Sequence, residues 1–441
     1  MDTQPAAEHT NPQLLPEHEP EEAQVSFFRA LLRYLGPGFI VTVGFIDPGN
    51  WATNLGGGSQ FGYTLLWVIS LSTLMLILLQ HMVARLGIVT GKSLAANIFT
   101  RFPRPIAYLL GATIFLACAA TDLAEYLGAA LGFQILFGIP PIIGAPLTVA
   151  IVFVAIMGQR YHSLERMILM FLAVIAGCYV VELVLVQPDW HQAMRGSVVP
   201  QISSSSILIA MAMLGAVVMP HNIFLHSNVI QSRDWGVNEK ERKRLVAFEL
   251  WDTVMAMGIG WLVNSAMIIV AAAVFFKAGT AVGSIEQASE TLRPLAGKIS
   301  GELGGHLAQI LFGVALLFAG IGSSITSSLA EANVVTGFLG KPEDPHSRLY
   351  RWGLIVTSIP CMLIIAAGVD SYKALILSQV ALSIQLPFTI IPLVYLARSR
   401  KVMGNFRSGP IEFSLALAVS AVIIGLNILL LYQTFGGKFR F

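Results

Sequence analysis

Charge is scarce in this chain. Of 441 residues only 12% are Asp, Glu, Lys or Arg, while 55% are hydrophobic and the mean hydropathy is +0.72. So few solvating groups cannot keep that much apolar surface in water, which excludes a soluble globular protein and leaves a polytopic membrane protein. The net charge of +2 is too close to neutral for a nucleic-acid partner. Cysteine is nearly absent as well. Cys118, Cys178 and Cys361 lie in apolar runs without CxxC spacing, so neither a disulfide framework nor a thiolate metal site is indicated and they read as packing residues. No nucleotide fingerprint, nucleophile elbow or catalytic triad occurs, so an enzyme is not expected, nor is a resident cofactor. Residues 1–25 are rich in Glu, Pro, Gln and His and lack the apolar core of a signal peptide. They read as a disordered cytoplasmic tail in which His9 and His18 are solvated or touch metal loosely.

Long apolar runs are what the chain has in abundance. Windows of spanning length fall near 37–57, 63–87, 106–136, 142–159, 166–187, 205–230, 246–276, 306–336, 352–369, 371–397 and 412–434, which predicts eleven membrane helices. With the N-terminus inside, twenty Lys and Arg residues fall on cytoplasmic segments and seven on external ones. That asymmetry fixes the orientation, and an odd helix count puts the C-terminus outside.

Two of these runs are interrupted. Asp47-Pro48-Gly49-Asn50 breaks the first and Met219-Pro220-His221-Asn222 breaks the sixth. A proline gives no N–H to the carbonyl four residues back, so Pro48 is expected to free the C=O of Gly44 and Pro220 that of Ala216. Open backbone at membrane depth is tolerated only where protein or a watery cavity covers it, and an intramembrane Asp marks a functional site. Defects at the head of helices 1 and 6 divide the chain into two five-helix units, 26–190 and 200–398. Because five is odd, the units enter from opposite sides, which is the inverted-repeat plan of secondary transporters. Residues 410–441, helix 11 and an external C-terminus, lie outside the repeat.

The side chains at the breaks suit a soft divalent cation. Asp47 offers a carboxylate, Asn50 an amide oxygen and Met219 a thioether; Mg²⁺ and Ca²⁺ prefer all-oxygen shells, whereas sulfur suits softer first-row ions such as Mn²⁺ and Fe²⁺. Met219 taken alone is core filler, but beside Pro220 and opposite Asp47 it reads as a ligand. One carboxylate against a divalent ion leaves positive charge, so a nearby group must take up or release a proton. His221 is either that titrating group or an interhelical hydrogen bond, and His226 is open to both roles. In helix 3, Asp122 and Glu125 stand three apart on one face of an apolar span, fit to conduct protons or to tether helices. Gln379 and Gln385 in helix 10 and Asn264 in helix 7 are further polar groups able to complete the shell. Glu331 in helix 8 is a relay or a structural hydrogen bond.

These residues resemble the Nramp family of divalent metal transporters. The likeness rests on Asp47-Pro48-Gly49-Asn50-Trp51-Ala52-Thr53-Asn54, Thr121-Asp122-Leu123-Ala124-Glu125, Glu182 within Cys178-Tyr179-Val180-Val181-Glu182, Met219-Pro220-His221-Asn222 with Leu225-His226-Ser227, Gln231-Ser232-Arg233, and Ser378-Gln379-Val380. It implies an all-α, LeuT-type fold with alternating access. It further implies metal bound by Asp47, Asn50, Met219 and the Ala216 carbonyl, with Gln379 joining on occlusion. Protons would be coupled through Asp47, His221, Asp122 and Glu125. The chain departs from the family's pattern at Phe115, where relatives carry a glutamate, in helix 9, where they carry a buried arginine pair and this chain has Arg348 and Arg351 at the helix mouth with an apolar Leu354 inside, and at Glu331-Ala332, where they read Gly-Gln. The expectation is a proton-coupled importer of Mn²⁺ or Fe²⁺ in the cell membrane, acting as a monomer with metal, protons and the bilayer as its partners. The alternatives are a weakly coupled metal uniporter, a Na⁺-coupled carrier of an organic solute on the same fold, and a membrane metal sensor that does not transport.

Overall fold

The structure is a computed structural model that describes residues 34–158, 161–203, 205–236 and 238–434. The tail 1–25 and the last residues from 435 lie outside the described residues. Among those described there are helices and no strands, and ten helical stretches are long and apolar enough to cross a membrane.

The difference between eleven predicted spans and ten arises at the first break. α1 (Pro37–Gly44) stops after eight residues, and α2 (Pro48–Phe61) resumes beyond a three-residue gap. α2 then runs through one 3-10 turn, Gly62–Leu65, into α3 (Leu66–Thr90), so 48–90 counts as one crossing and α1 is too short to count as another. Pro48 at the first helical position and Asp47 as N-cap restart the helix, since proline's fixed φ suits N1 and the Asp carboxylate accepts the N–H groups of Gly49 and Asn50.

After α4 (Leu94–Arg101) the helices α5 (Arg104–Phe137), α6 (Pro141–Gly158) and α7 (Tyr161–Val186) follow, then a short helix α8 (Trp190–Val198). The second break separates α9 (Ile207–Val217) from α10 (Pro220–Val229), with Met219 extended between them and Pro220 again at N1. α11 (Glu239–Ala271) and α12 (Ile285–Phe338) complete the packing around the breaks; α12 begins well before the predicted 306 and kinks at Gly301, whose φ of 80° suits glycine.

A third break was not expected. The ninth predicted span is two pieces, α13 (Arg348–Gly353) and α14 (Ser358–Ala366), parted at Leu354–Thr357. Pro360 cannot donate to the carbonyl of Val356, which removes a bond from that turn. α15 (Ser371–Arg398), α16 (Arg400–Met403) and α17 (Pro410–Thr434) end the described chain. The breaks sit at the centre, wrapped by α5, α11, α12 and α15. Gly44, Gly128 and Gly320 permit this closeness: a Cβ on each would fall 2.5 Å from Asn222, 1.9 Å from Pro48 and 2.4 Å from the Ala129 backbone.

Candidate metal site

The two breaks face each other. Asn50 Nδ2, from the start of α2, lies 2.9 Å from the Ala216 carbonyl at the end of α9, 2.8 Å from the Phe45 carbonyl and 2.7 Å from Asp47 Oδ1. Its two hydrogens are shared among three acceptors. Asp47 Oδ1 also accepts Asn50 N at 3.0 Å, while Oδ2 accepts Gly49 N at 3.1 Å and Gln379 Nε2 at 3.2 Å from α15. The carboxylate thus sits on the N-terminal N–H groups of α2, where backbone partial charge favours an anion. Met219 Sδ accepts Asn222 Nδ2 at 3.5 Å. Asp47, Asn50, Met219 and Gln379 are all fully buried.

Three oxygens in this cluster have no donor: Asn50 Oδ1, Gln379 Oε1 and Asn222 Oδ1. Buried acceptors are normally satisfied, and an ion is one reason for leaving them open. The cluster supplies one carboxylate, amide oxygens, a backbone carbonyl and a thioether. Among the described residues no group of three or more His, Cys, Asp or Glu side chains is placed to hold a metal, so beyond the one Asp47 carboxylate any cation here depends on neutral oxygen and sulfur.

The structure brings Asp47, Asn50, the Ala216 carbonyl, Met219 and Gln379 together and departs from the sequence reading in three places. The carbonyl of the first break that touches a site side chain is that of Phe45, the residue just after the end of α1, rather than that of Gly44. Asn264 donates to the carbonyls of Phe45 and Gly260 and accepts from Asn54 Nδ2 at 2.8 Å, which makes it a tether between α11 and the break. Gln385 lies away from the breaks, 3.4 Å from Thr113 on α5 and 2.9 Å from Thr389.

A second polar cluster stands beside the first. His221 Nδ1 is 3.3 Å from Thr121 Oγ1, one residue before Asp122, and its Nε2 has no partner. Asp122 Oδ1 accepts Ser327 Oγ at 2.5 Å, and Thr357 Oγ1, from the unexpected third break, contacts both Asp122 Oδ2 and Glu331 Oε2. A hydroxyl has one hydrogen, so it cannot donate to both carboxyl groups; one of the two contacts needs a hydrogen from the carboxyl side. Glu331 therefore joins Asp122 through Thr357. Glu125 is buried with neither oxygen partnered. His226 is committed to Gln80 Oε1 at 2.9 Å. Leu354 is buried, while Arg348 and Arg351 are exposed at the helix mouth.

A third set of contacts ties the start of α1 and the middle of α3 to neighbouring helices. Asp252 on α11 accepts Gly36 N at 2.9 Å and Gly38 N at 2.7 Å, holding the start of α1. Arg233, just after α10, pairs with Glu165 at 2.5 Å and donates to the Leu35 carbonyl at 3.1 Å. His81 meets Glu249 at 2.6 Å. Sequence reasoning passed over Asp252, Glu249, Ser327 and Thr357. Asp252 and Glu249 had a signal, carboxylates within an apolar window, whereas Ser327 and Thr357 are ordinary helix residues without their partners.

The family model described as natural resistance-associated macrophage protein-like matches residues 38–433. A protein of Caldanaerobacter subterraneus named divalent metal cation transporter MntH is 40% identical over 93% of this chain and 95% of its own length. The crystal structure of the Eremococcus coleocola manganese transporter, in complex with an aromatic bis-isothiourea substituted compound, is 30% identical with a TM-score of 0.83, covering 95% of this chain and 90% of that one. Mhp1, a nucleobase-cation-symport-1 family transporter, shares the fold alone, at 15% identity and a TM-score of 0.57 over 92% and 94% of the two chains. The architecture is the LeuT-type transporter fold, and the named relatives are transporters rather than enzymes. The chain belongs to the natural resistance-associated macrophage protein-like family, as a multi-pass membrane transporter of divalent metal cations.

Proposed function

We propose that the chain imports Mn²⁺ and Fe²⁺ into the cytoplasm together with protons, by alternating access, as a monomer with its N-terminus inside. The observation that carries this reading is the meeting of Asp47, Asn50, the Ala216 carbonyl, Met219 and Gln379 between two half-helices, with the Asn50 and Gln379 oxygens unpartnered. The Eremococcus coleocola relative is named a manganese transporter, in keeping with a shell that mixes oxygen and thioether. In the closed arrangement amide N–H groups hold the Asp47 carboxylate. An arriving cation replaces them, and the amides of Asn50 and Gln379 turn their oxygens toward it.

Coupling to protons is supported by the row from His221 through Thr121 to Asp122, Thr357 and Glu331. One divalent charge on one carboxylate leaves a surplus that loss of a proton relieves. Glu331 takes a place beside Asp122 that the sequence could only suggest, and Glu125, one turn further on, is a second buried carboxyl for the same route. The units 26–190 and 200–398 are proposed as inverted repeats, with 410–441 outside them. The test is metal uptake into proteoliposomes that contain a pH-sensitive dye. Symport gives Mn²⁺ entry with internal acidification; entry without acidification indicates uniport, and no entry indicates a binding protein.

A further inference from the structure

The helix α8 is an amphipathic helix with one face left open. Trp190, Met194 and Val198, at i, i+4 and i+8, are 54%, 71% and 78% exposed, while Ala193 and Gly196 on the opposite side are buried. That buried side is fixed in place. A Cβ on Gly196 would fall 2.1 Å from the Tyr63 carbonyl oxygen, Asp189 N donates to Tyr63 OH at 3.1 Å, and Trp67 Nε1 donates to the Gln201 carbonyl at 3.1 Å. Behind the open face lies a cavity of about 470 Å³ between α8, α7 and α11, lined by Tyr179, Val180, Trp190, Met194, Leu262 and Ala266 among others. Val180 and Leu262 of this lining are 61% and 58% exposed, and Val184, one turn beyond Val180, is 70% exposed, all on helices long and apolar enough to cross a membrane. At the rim His191 and Arg195 stand one turn apart beside the apolar stripe, both exposed. The nearby Asp189 carboxylate is occupied by Gln192, accepting its N–H at 3.0 Å and its Nε2 at 2.7 Å.

We propose that this groove is a phospholipid site of the outer leaflet, with one acyl chain between α8, α7 and α11 and the phosphate held by Arg195 and His191. A helix with tryptophan and aliphatic side chains on one face and basic groups at its edge suits the boundary of headgroups and acyl chains. The cavity is open to the membrane, so an acyl chain enters sideways without crossing a polar barrier. The staple to Tyr63 places the bound lipid next to the turn that joins α2 to α3.

The test is native mass spectrometry of the full chain in detergent with added phosphatidylglycerol. Val180→Trp fills the groove from an exposed position, which leaves folding intact, and Arg195→Gln removes the phosphate contact. The expected result is one retained phospholipid on the parent, at least fivefold lower occupancy in Val180→Trp, and a several-fold loss in Arg195→Gln. Equal retention in the parent and Val180→Trp would overturn the site, since that is the behaviour of bulk lipid. Loss in Val180→Trp with no change in Arg195→Gln would overturn the headgroup assignment.

Discussion

Asp252→Asn should loosen the N-terminal end of α1. In the parent one carboxylate receives the backbone N–H groups of Gly36 and Gly38, at 2.9 and 2.7 Å. Hydrogen bonds to a charged group contribute about 1.5–3 kcal/mol each. Asparagine keeps one acceptor and sets its NH₂ against the second N–H, so one bond is lost and a buried donor is stranded at a further cost of about 1–3 kcal/mol. Removing a buried charge returns part of this as relief from desolvation. A net loss of about 2 kcal/mol remains, which is roughly a 30-fold rise in the population with α1 detached. Hydrogen exchange read by mass spectrometry on a peptide covering 36–44 measures that population directly, because exchange follows local opening. Exchange should quicken roughly 30-fold there and stay unchanged in α5, which does not touch Asp252. Rates within threefold of the parent in 36–44 would refute the claim that Asp252 holds this end of α1 in place.

Met219→Ala removes the thioether and should let Ca²⁺ compete with Mn²⁺ uptake, because the shell becomes all oxygen; a variant that still rejects Ca²⁺ would make geometry the filter. The same change empties a fully buried position and should cost about 2–5 kcal/mol of stability, so selectivity is read as a ratio of rates. Thr357→Val keeps the shape of the side chain but cuts the link between Asp122 and Glu331, and like Asp122→Asn it should lower acidification per Mn²⁺ transported; an unchanged ratio would remove this cluster from the proton path. On the loop before α13, burial raises Glu343 above the ordinary 4.5, against donation from Ser93 and Asn228. A folded-state value above the unfolded one gives stability that is complete below about 4.5 and lost as pH rises through the folded value. Thermal melts should therefore show the parent losing more stability than Glu343→Gln between pH 4 and 7.

Much of this was legible because membranes restrict what a chain can do. Apolar windows located ten of the crossings, and prolines beside polar residues located both central breaks, since nothing else explains Asp47 or His221 at that depth. Local sequence points to the Gly44 carbonyl, whereas packing sets that of Phe45 against Asn50 and Asn264. Asn264 and Gln385 were polar at the right depth, but depth along a helix does not say which way it faces, and both point to tethers. The third break is not legible in the sequence because Pro360 follows it by three residues and the window remains apolar throughout. Thr357, which draws Asp122 and Glu331 together, has no meaning until α5, α12 and α14 are packed.

The claim on which the rest depends is that one cation sits between the two breaks. Anomalous diffraction at the manganese edge from crystals grown with Mn²⁺, for the parent and for Asp47→Ala, tests it most directly. The expected result is a single peak in the parent between Asp47, Asn50, the Ala216 carbonyl and Met219, absent from the variant. A parent peak at Asp122 and Glu331 instead, or one that persists at the breaks in Asp47→Ala, would contradict it.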